Sequence, residues 1–208
     1  DRRQILRDYV NIVIARDIVE RNHLNNYTLI RYFINTLIKN AGTTFSFNKF
    51  FNDLKSQGMS LGKSTLYDYF SYIEDAFLAF KVPLFSESLR KIQSNPQKIY
   101  TVDTGLIHTY TTQFSQNLGH MFENLIYLDL RRKGHEIYHY LTKERYEIDF
   151  LTLDKTGKQH LYQVALDTSN QDTLAREERA LKQAEKELNI KGKVITPETY
   201  LLNHLNEK

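Results

Sequence analysis

Three oxygen-bearing side chains stand at spacings that suit metal-dependent chemistry. Glu123 lies in a helix-like stretch, Asp149 in a strand-like run, and Gln163 in the next such run. Carboxylate and carbonyl oxygens are the ligands that Mg²⁺ prefers. Bound Mg²⁺ activates water and neutralises the charge that develops on a phosphate under attack. We therefore treat Asp149, Gln163 and Glu123 as candidate metal ligands and candidate catalytic residues of a nuclease-like site.

The elements that must position these residues follow from the spacing of apolar residues. A helix over 118–133 ends in two arginines and a lysine followed by Gly134, which is typical of a helix C-terminus. Alternating apolar and polar residues then predict three strands, over residues 136–141, 146–153 and 160–166. The remaining elements are a charged helix over 171–189, a short strand over 193–195 and a final helix near 198–205. The predicted order is α-β-β-β-α-β-α.

Two other features of this half are interpreted as structural. The charged face of helix 171–189, which includes Arg176 and Glu177, is most simply a solvated surface of paired charges. His135 and His139 are four residues apart, but they fall on a predicted turn and strand instead of one helix face. We therefore interpret them as surface or satisfied polar groups and not as a metal site.

The first half of the chain is predicted to be helical. Apolar residues recur at helical spacing over residues 4–22, 27–41, 46–57 and 61–80. In the first of these helices, the residues that recur are Ile5, Tyr9, Ile12, Ala15 and Val19. The expected buried stripe of the last helix is Leu66, Phe70, Ile73 and Phe77. Two short strands are predicted over 81–86 and 98–102. Compact helices followed by a β-hairpin favour a winged helix-turn-helix with helix 61–80 at the recognition position.

Two interpretations of helix 61–80 stay open. As a DNA reader, it would present its N-terminal residues to a major groove, namely Lys63, Ser64, Thr65 and Tyr67. Against this, the helix carries one lysine and three acids, whereas phosphate contacts need cations. Winged helices also serve as packing modules between domains, and we favour that interpretation. The stretch 58–65 looks like a phosphate loop, but it has three residues between its glycines instead of four, so we reject it as a nucleotide site.

Composition limits the class of protein. The 208 residues include no cysteine, which excludes disulfides, thiolate zinc sites and a cysteine nucleophile. No apolar run approaches the about 20 residues of a membrane span, and no signal peptide is visible. We therefore expect a cytoplasmic protein without a membrane partner. Residues 1–110 carry 14 Lys and Arg against 10 Asp and Glu, and residues 111–208 carry 14 against 15. The mildly basic first half permits contact with nucleic acid without requiring it.

Several separated segments resemble known families. The α-β-β-β-α-β order with Glu123, Asp149 and Gln163 resembles the restriction-endonuclease-like, PD-(D/E)-x-K, superfamily. The segments DYVNIVIARDIVERN, IYTVDTGL, FENLIYLDL and YEIDFL look like the C-terminal region of a large prokaryotic family of predicted AAA-superfamily ATPases. In that family a nucleotide-binding module precedes a domain of unknown function. The resemblance covers about residues 8–194. It implies an upstream module that binds ATP and is missing from this chain, in keeping with its helical start without Met.

The resemblance also assigns roles at the site. It matches Glu123 to the helix acid, Asp149 to the metal-binding acid, and residues 163–165 to the (D/E)-x-K triplet. Gln163 keeps a carbonyl oxygen but lacks a negative charge. Ala165 stands where a lysine would orient water and stabilise the transition state, and losing one such donor typically costs about 10²–10³ in rate. The site therefore resembles the remnant of a nuclease.

Restored catalysis would need substitute groups. Arg145 shares a predicted strand face with Asp149, and Asp167 shares one with Gln163, so these two are the candidates. We expect a two-part α+β or α/β fold, with a helical winged-helix domain over 1–110 and a restriction-endonuclease-like domain over 111–208.

The expected function follows from this fold. We expect a non-catalytic interaction or regulatory module of an AAA-type ATPase, with a macromolecular partner of unknown identity and DNA as one candidate. The alternatives are an active Mg²⁺-dependent nuclease and a metal-free winged-helix DNA-binding domain. No cofactor is expected in this segment, except Mg²⁺ if the nuclease-like site is active.

Overall fold

The computed structural model describes residues 1–111, 114–166 and 171–206 and contains both helices and strands. In chain order, its elements are α1 (Arg2–Ile12), a π-helical segment (Val13–Glu20), α2 (Tyr27–Lys39), β1 (Thr44–Phe45), α3 (Phe47–Ser56), α4 (Lys63–Asp75), β2 (Ala79–Val82), α5 (Leu89–Ser94), β3 (Gln97–Thr101), α6 (Thr104–Tyr110), α7 (Phe114–Arg132), β4 (Glu136–Leu141), β5 (Glu147–Leu153), β6 (Gln159–Val164), α8 (Gln171–Leu188), β7 (Gly192–Ile195) and α9 (Pro197–Asn206). No helix within the described ranges is both long enough and apolar enough to cross a bilayer.

The chain forms two compact units, and it passes between them three times. The first unit is Asp1–Lys81 with Asn95–Asn124, and the second is Val82–Ser94 with Leu125–Lys208. The short segment between β2 and β3 therefore belongs to the second unit. The division at residue 110 that the sequence suggested stays a prediction.

Helices α2, α3 and α4 hold the core of the first unit. The Asn26 side chain accepts the Leu29 N–H at the start of α2, and Ser46 does the same for Lys49 at the start of α3, as expected of N-caps. Phenylalanines dominate the interior, with the Phe33 and Phe50 rings stacked at a centroid separation of 4.9 Å. The predicted apolar stripe of α2, which recurs every four residues, is buried.

Three of the apolar residues that recur along the first helix are exposed. Ile5, Tyr9 and Ile12 are 66%, 46% and 54% exposed, whereas Val10 and Ile14 are fully buried. Apolar residues occur on more than one side of this helix, so helical periodicity alone does not choose the side that packs. The residues that pack into the core form the stripe that continues into the π-helical segment.

The helix predicted over 61–80 ends at Asp75, five residues early. Phe77, which was expected to point inward, has a φ of 57° and is 59% exposed. The next residues, Ala79–Val82, form β2, which is displaced towards the N-terminus from the predicted strand at 81–86. The apolar run around Phe77 suits a strand as well as a helix, because buried strands and buried helices share such runs.

A small three-stranded sheet completes this part of the chain, in the order β1-β3-β2. Strand β1 has only two residues and was not predicted from the sequence; it pairs antiparallel with β3 through Thr44 and Phe45. Helix α6 begins at Thr104, shortly after β3. Asp103 caps this helix by accepting the Gly105 N–H at 2.6 Å.

The second unit contains a four-stranded sheet in the order β4-β5-β6-β7. The first three strands are antiparallel neighbours, and β7 runs parallel to β6. Leu151 and Leu161, paired across β5 and β6, lie in one apolar cluster with Ala180, Leu181 and Ala184 of α8. The predicted α-β-β-β-α-β-α order is confirmed for the elements from α7 to α9. The chain as a whole is a mixed α/β protein with two small sheets.

The outer edge of β4 is covered by the segment that follows β2. Leu84 pairs parallel with His139. The His139 N–H donates to the Pro83 carbonyl at 3.0 Å, and the Phe85 N–H donates to the His139 carbonyl at 2.8 Å. The Phe85 ring packs against Tyr138 and Tyr140. This segment thus extends the sheet of the second unit by one short strand.

Candidate functional site

Glu123 lies on α7 in the first unit, where its carboxylate is buried beside a lysine. Oε1 of Glu123 accepts hydrogen bonds from Lys98 Nζ at 2.8 Å and from the Tyr100 hydroxyl at 2.6 Å. Lys98 is only 2% exposed and Tyr100 is fully buried. The two donors are two residues apart on β3, so they share one face of the strand. The acid therefore attaches α7 to β3.

The next residue on α7 strengthens the same attachment. Asn124 Oδ1 accepts the Thr101 N–H at 2.8 Å, and Asn124 Nδ2 donates to the Thr101 carbonyl at 3.0 Å. A fully buried asparagine thus satisfies both main-chain groups of one strand residue, as buried polar groups require. Sequence analysis missed Lys98, Tyr100 and Asn124, because nothing local links them to Glu123.

The structure brings Asp149 and Gln163 together in the second unit. Phe150 pairs with Tyr162 across β5 and β6, which sets Asp149 opposite Gln163. Gln163 Oε1 accepts the Asp149 N–H at 3.2 Å, and Asp149 Oδ2 accepts the Val164 N–H at 2.9 Å. Both side chains are buried, at 7% and 4% exposure. Each therefore bonds to the main chain of the partner strand.

Helix α8 supplies a second carboxylate to this pair. Gln163 Nε2 donates to Glu177 Oε2 at 2.6 Å, and the Arg176 guanidinium donates to Glu177 Oε1 at 2.6 Å. The hydrogen bond and charge of Glu177 raise the pKa of Arg176, and the charge of Asp149 adds to this effect. The interpretation of Glu177 as part of a solvated surface is wrong, because its partner is a buried strand residue. Its bond to Gln163 could not be predicted from the regular charge pattern of α8.

The position expected for a catalytic lysine lies inside the fold. Ala165 is 4% exposed, and its N–H donates to the Ile195 carbonyl at 3.0 Å. Arg145 does not share a strand face with Asp149, because β5 begins at Glu147 and Arg145 lies in the preceding turn with a φ of 68°. Asp167, the substitute acid, lies outside the described residues.

The oxygens of the candidate metal ligands are engaged in hydrogen bonds within the fold. The Gln163 carbonyl oxygen and an oxygen of Asp149 accept main-chain N–H groups. An oxygen of Glu123 accepts hydrogen bonds from the Lys98 ammonium and the Tyr100 phenol. In the described part of the chain, no group of three or more histidine, aspartate and glutamate side chains is placed to hold a metal ion. Mg²⁺ needs several hard oxygen ligands with octahedral geometry.

The residues proposed for DNA reading lie in the first turns of α4. Lys63, Ser64 and Tyr67 are exposed and Thr65 is half-buried. The Tyr67 ring stacks on Phe47 at a centroid separation of 5.0 Å. Gly62 is the N-cap of this helix and offers no side-chain bond. Whether these four residues bind DNA stays a prediction.

Two family models match the chain, and both describe domains of unknown function. Residues 1–117 match Domain of unknown function (DUF8612), and residues 118–204 match Domain of unknown function (DUF4143). The uncharacterized protein MJ1544 of Methanocaldococcus jannaschii is 32% identical over 201 residues, which cover 94% of this chain and 44% of that protein. An uncharacterized protein of Haemophilus influenzae is 23% identical over 133 residues, or 64% of this chain and 33% of that protein. The chain spans less than half the length of these relatives. No solved structure matches.

Proposed function

From the premise that the chain belongs to the family described as Domain of unknown function (DUF8612), we propose that it is a non-catalytic interaction module. In this proposal it forms the C-terminal part of an AAA-type ATPase and couples a macromolecular partner to the ATPase module. Nucleic acid is the class of partner that we favour. The length of the relatives, more than twice that of the matched segment, leaves room for such a module in them.

The order of elements supports two finer assignments. The sequence α2-β1-α3-α4-β2-α5-β3 with sheet order β1-β3-β2 resembles a winged helix-turn-helix in which the short helix α5 lies between the last two strands. The order from α7 to β7, with one parallel strand pair at the end of the sheet, is typical of restriction-endonuclease-like domains. We propose these folds for the two parts of the chain.

The burial of Glu123 beside Lys98 is the observation that carries the non-catalytic proposal. A nuclease acid must offer its oxygens to a metal, whereas this one is neutralised by a buried ammonium at 2.8 Å. Breaking such a pair leaves a buried charge without compensation. Ala165 supports the same proposal, because an alanine cannot supply the cation with which a lysine would stabilise the transition state. The acids thus act as structural groups in an inherited framework.

Metal titration tests the proposal directly. Calorimetric titration of the 208-residue chain with MgCl₂ and MnCl₂ is expected to give no saturable binding, and supercoiled DNA incubated with either metal is expected to stay intact. Asp149→Ala, Glu123→Gln and the exposed-acid control Asp8→Ala should be indistinguishable from the parent in both assays. Saturable binding that Asp149→Ala and Glu123→Gln abolish, while Asp8→Ala retains it, would establish the active-nuclease alternative instead.

A second candidate function is metal-free DNA binding by α4, which the exposure of Lys63, Ser64 and Tyr67 favours. Duplex DNA affinity should then fall with salt, and Lys63→Glu should reduce the magnitude of the salt slope by about one. Lys49→Glu on α3 is the matched control, since Lys49 is also exposed. An unchanged slope in Lys63→Glu would remove α4 as the reader.

A further inference from the structure

A cleft of about 390 Å³ lies in the first unit, away from the acids and from the exposed start of α4. Three helices form it. Arg3 and Arg7 come from α1, Asn35 and Lys39 from α2, and the C-terminal end of α6 contributes residues 108–111. Its lining is mostly polar, unlike the apolar lining of most small-molecule pockets.

Positive charge dominates the lining of this cleft. Among the described residues, the lining contains Arg3, Arg7 and Lys39 but no carboxylate. In the part of the chain that the structure describes, none of these three cations forms an ion pair. Arg3 and Arg7 are one helical turn apart, and like charges at this spacing oppose helix stability. The fold thus brings cations together without compensating them.

Two hydrogen bonds hold the arginines at the end of α6. The Arg3 guanidinium donates to His108 Nε2 at 2.9 Å, and the Arg7 guanidinium reaches the Thr109 carbonyl at 3.5 Å, the outer limit for a hydrogen bond. An arginine has five N–H donors, so most of their donor capacity is unused within the described residues.

The electrostatic effect of these side chains is visible at Tyr110, which also lines the cleft. Burial raises the pKa of Tyr110, while the positive charges of Arg31 and Arg7 act in the opposite direction. Arg31 therefore adds a further positive charge near the lining. The cleft therefore combines a positive potential with hydrogen-bond donors from the helices that line it.

We propose that this cleft binds phosphate groups. Guanidinium forks match phosphate oxygens in geometry and charge, Lys39 adds a point charge, and the half-buried Asn35 amide adds neutral donors. Two arginines on one helix and a lysine on a second suit a compact anion with several oxygens better than carboxylates spread along an acidic peptide. The proposal goes beyond the proposed function, because it assigns a ligand class to a site that shares no residue with the acids.

Two sources of phosphate share this chemistry, namely a nucleic-acid backbone and a free nucleotide. Binding is measured by calorimetry with pyrophosphate and ATP, and by fluorescence anisotropy with labelled single-stranded and duplex oligonucleotides. The key variant is Arg3→Ala/Arg7→Ala. Its matched control is Arg2→Ala/Arg16→Ala, which removes the same charge from exposed positions of the same helical stretch outside the cleft.

The key variant is expected to weaken at least one of these probes tenfold or more, while the control changes its affinity less than twofold. Loss confined to pyrophosphate and ATP identifies a free phosphate compound, and loss confined to oligonucleotides identifies a nucleic-acid backbone. Lys39→Ala should weaken the same probe several-fold, and it replaces the key variant if that variant does not fold.

Three results would overturn the proposal. They are the absence of binding to every probe, equal loss in the key and control variants, and competition by poly-glutamate at the same concentration as pyrophosphate. Failure here leaves the metal titration of the acids unaffected, because that experiment uses Asp149 and Glu123 and no residue of the cleft.

Discussion

Charge is compensated differently in two regions of the molecule, the acids of the nuclease-like framework and the cations of the α1–α2–α6 cleft. Glu123 is buried against Lys98 and Tyr100, and Asp149 is buried and accepts the Val164 N–H. Arg3, Arg7 and Lys39 are exposed, and no carboxylate among the described residues lines the cleft beside them. A buried charge must be compensated inside the fold, whereas an exposed charge is compensated by water or by a ligand. The acids therefore stabilise the fold, and the cleft is the site that we propose to bind phosphate groups.

The largest expected effect comes from Lys98. Lys98→Met leaves the Glu123 carboxylate buried without its cation, so the free energy of unfolding should fall by about 3–5 kcal/mol. Urea denaturation followed by circular dichroism measures this loss. The double variant Lys98→Met/Glu123→Gln should recover most of it, because a neutral pair needs no counter-charge. A loss below about 1 kcal/mol in the single variant would show that the pair is solvated.

Gln163 should give the next largest effect. Gln163→Leu removes the acceptor of the Asp149 N–H and the donor to Glu177. Leaving these groups unsatisfied should cost about 1–3 kcal/mol in the free energy of unfolding. Gln57→Leu, at an exposed position of the first unit, is the control and should change stability by less than about 0.5 kcal/mol. Equal effects would mean that water replaces Gln163 and that this network is not structural.

Tyr140 and Glu187 form a more open version of the Tyr100–Glu123 contact. The Tyr140 hydroxyl donates to Glu187 Oε2 at 2.7 Å, and Tyr140→Phe should cost about 0.5–1.5 kcal/mol at neutral pH. Burial, together with the bond to Glu187, raises the pKa of Tyr140 to about 12. A raised pKa means that the neutral phenol stabilises the fold below the ordinary value of 10.0 and that this stability is lost as pH rises towards 12.

The pH arm of this prediction is measured by urea denaturation of the parent and of Tyr140→Phe at pH 8 and at pH 10 to 11. The difference in unfolding free energy between the two proteins should shrink at the higher pH. A difference that stays constant or grows would contradict the assignment of the bond to the neutral phenol.

The smallest stability effect is expected at the cleft. Arg3→Ala/Arg7→Ala should change the free energy of unfolding by no more than about 0.5 kcal/mol, since both residues are exposed and form no ion pair with a residue that the structure describes. Phosphate at constant ionic strength should raise the Tm of the parent and not that of this variant, because a ligand that binds only the folded state stabilises it. A loss above about 1.5 kcal/mol would instead make the arginines structural caps of α6.

Local signals predicted the second half of the fold well. Strand β4 was predicted with the observed limits, 136–141, and its neighbours to within a few residues. The turn at Gly134 was also clear from the sequence, and this glycine has the positive φ of 77° that ends helices. The alternation of apolar and polar residues and the presence of turn residues are local patterns of a few positions, so they can be identified in the sequence.

Contacts between residues that are far apart in the sequence could not be predicted from it. Lys98 is 25 residues from Glu123, and Arg7 is 102 residues from the carbonyl that it approaches. A strand lysine and a helix arginine both look like surface residues until the fold sets them in place. The exposed Ile5 shows the converse case, since apolar residues on two sides of one helix leave the choice of face to tertiary packing.

The strand that Leu84 adds beside β4 has a practical consequence for dividing the protein into fragments. The match to the second family begins at residue 118, and a fragment cut there would lack the segment that bonds to His139. Its outermost strand would then present unsatisfied main-chain groups, which invite edge-to-edge association between copies. A fragment that starts at Val82 keeps this cover.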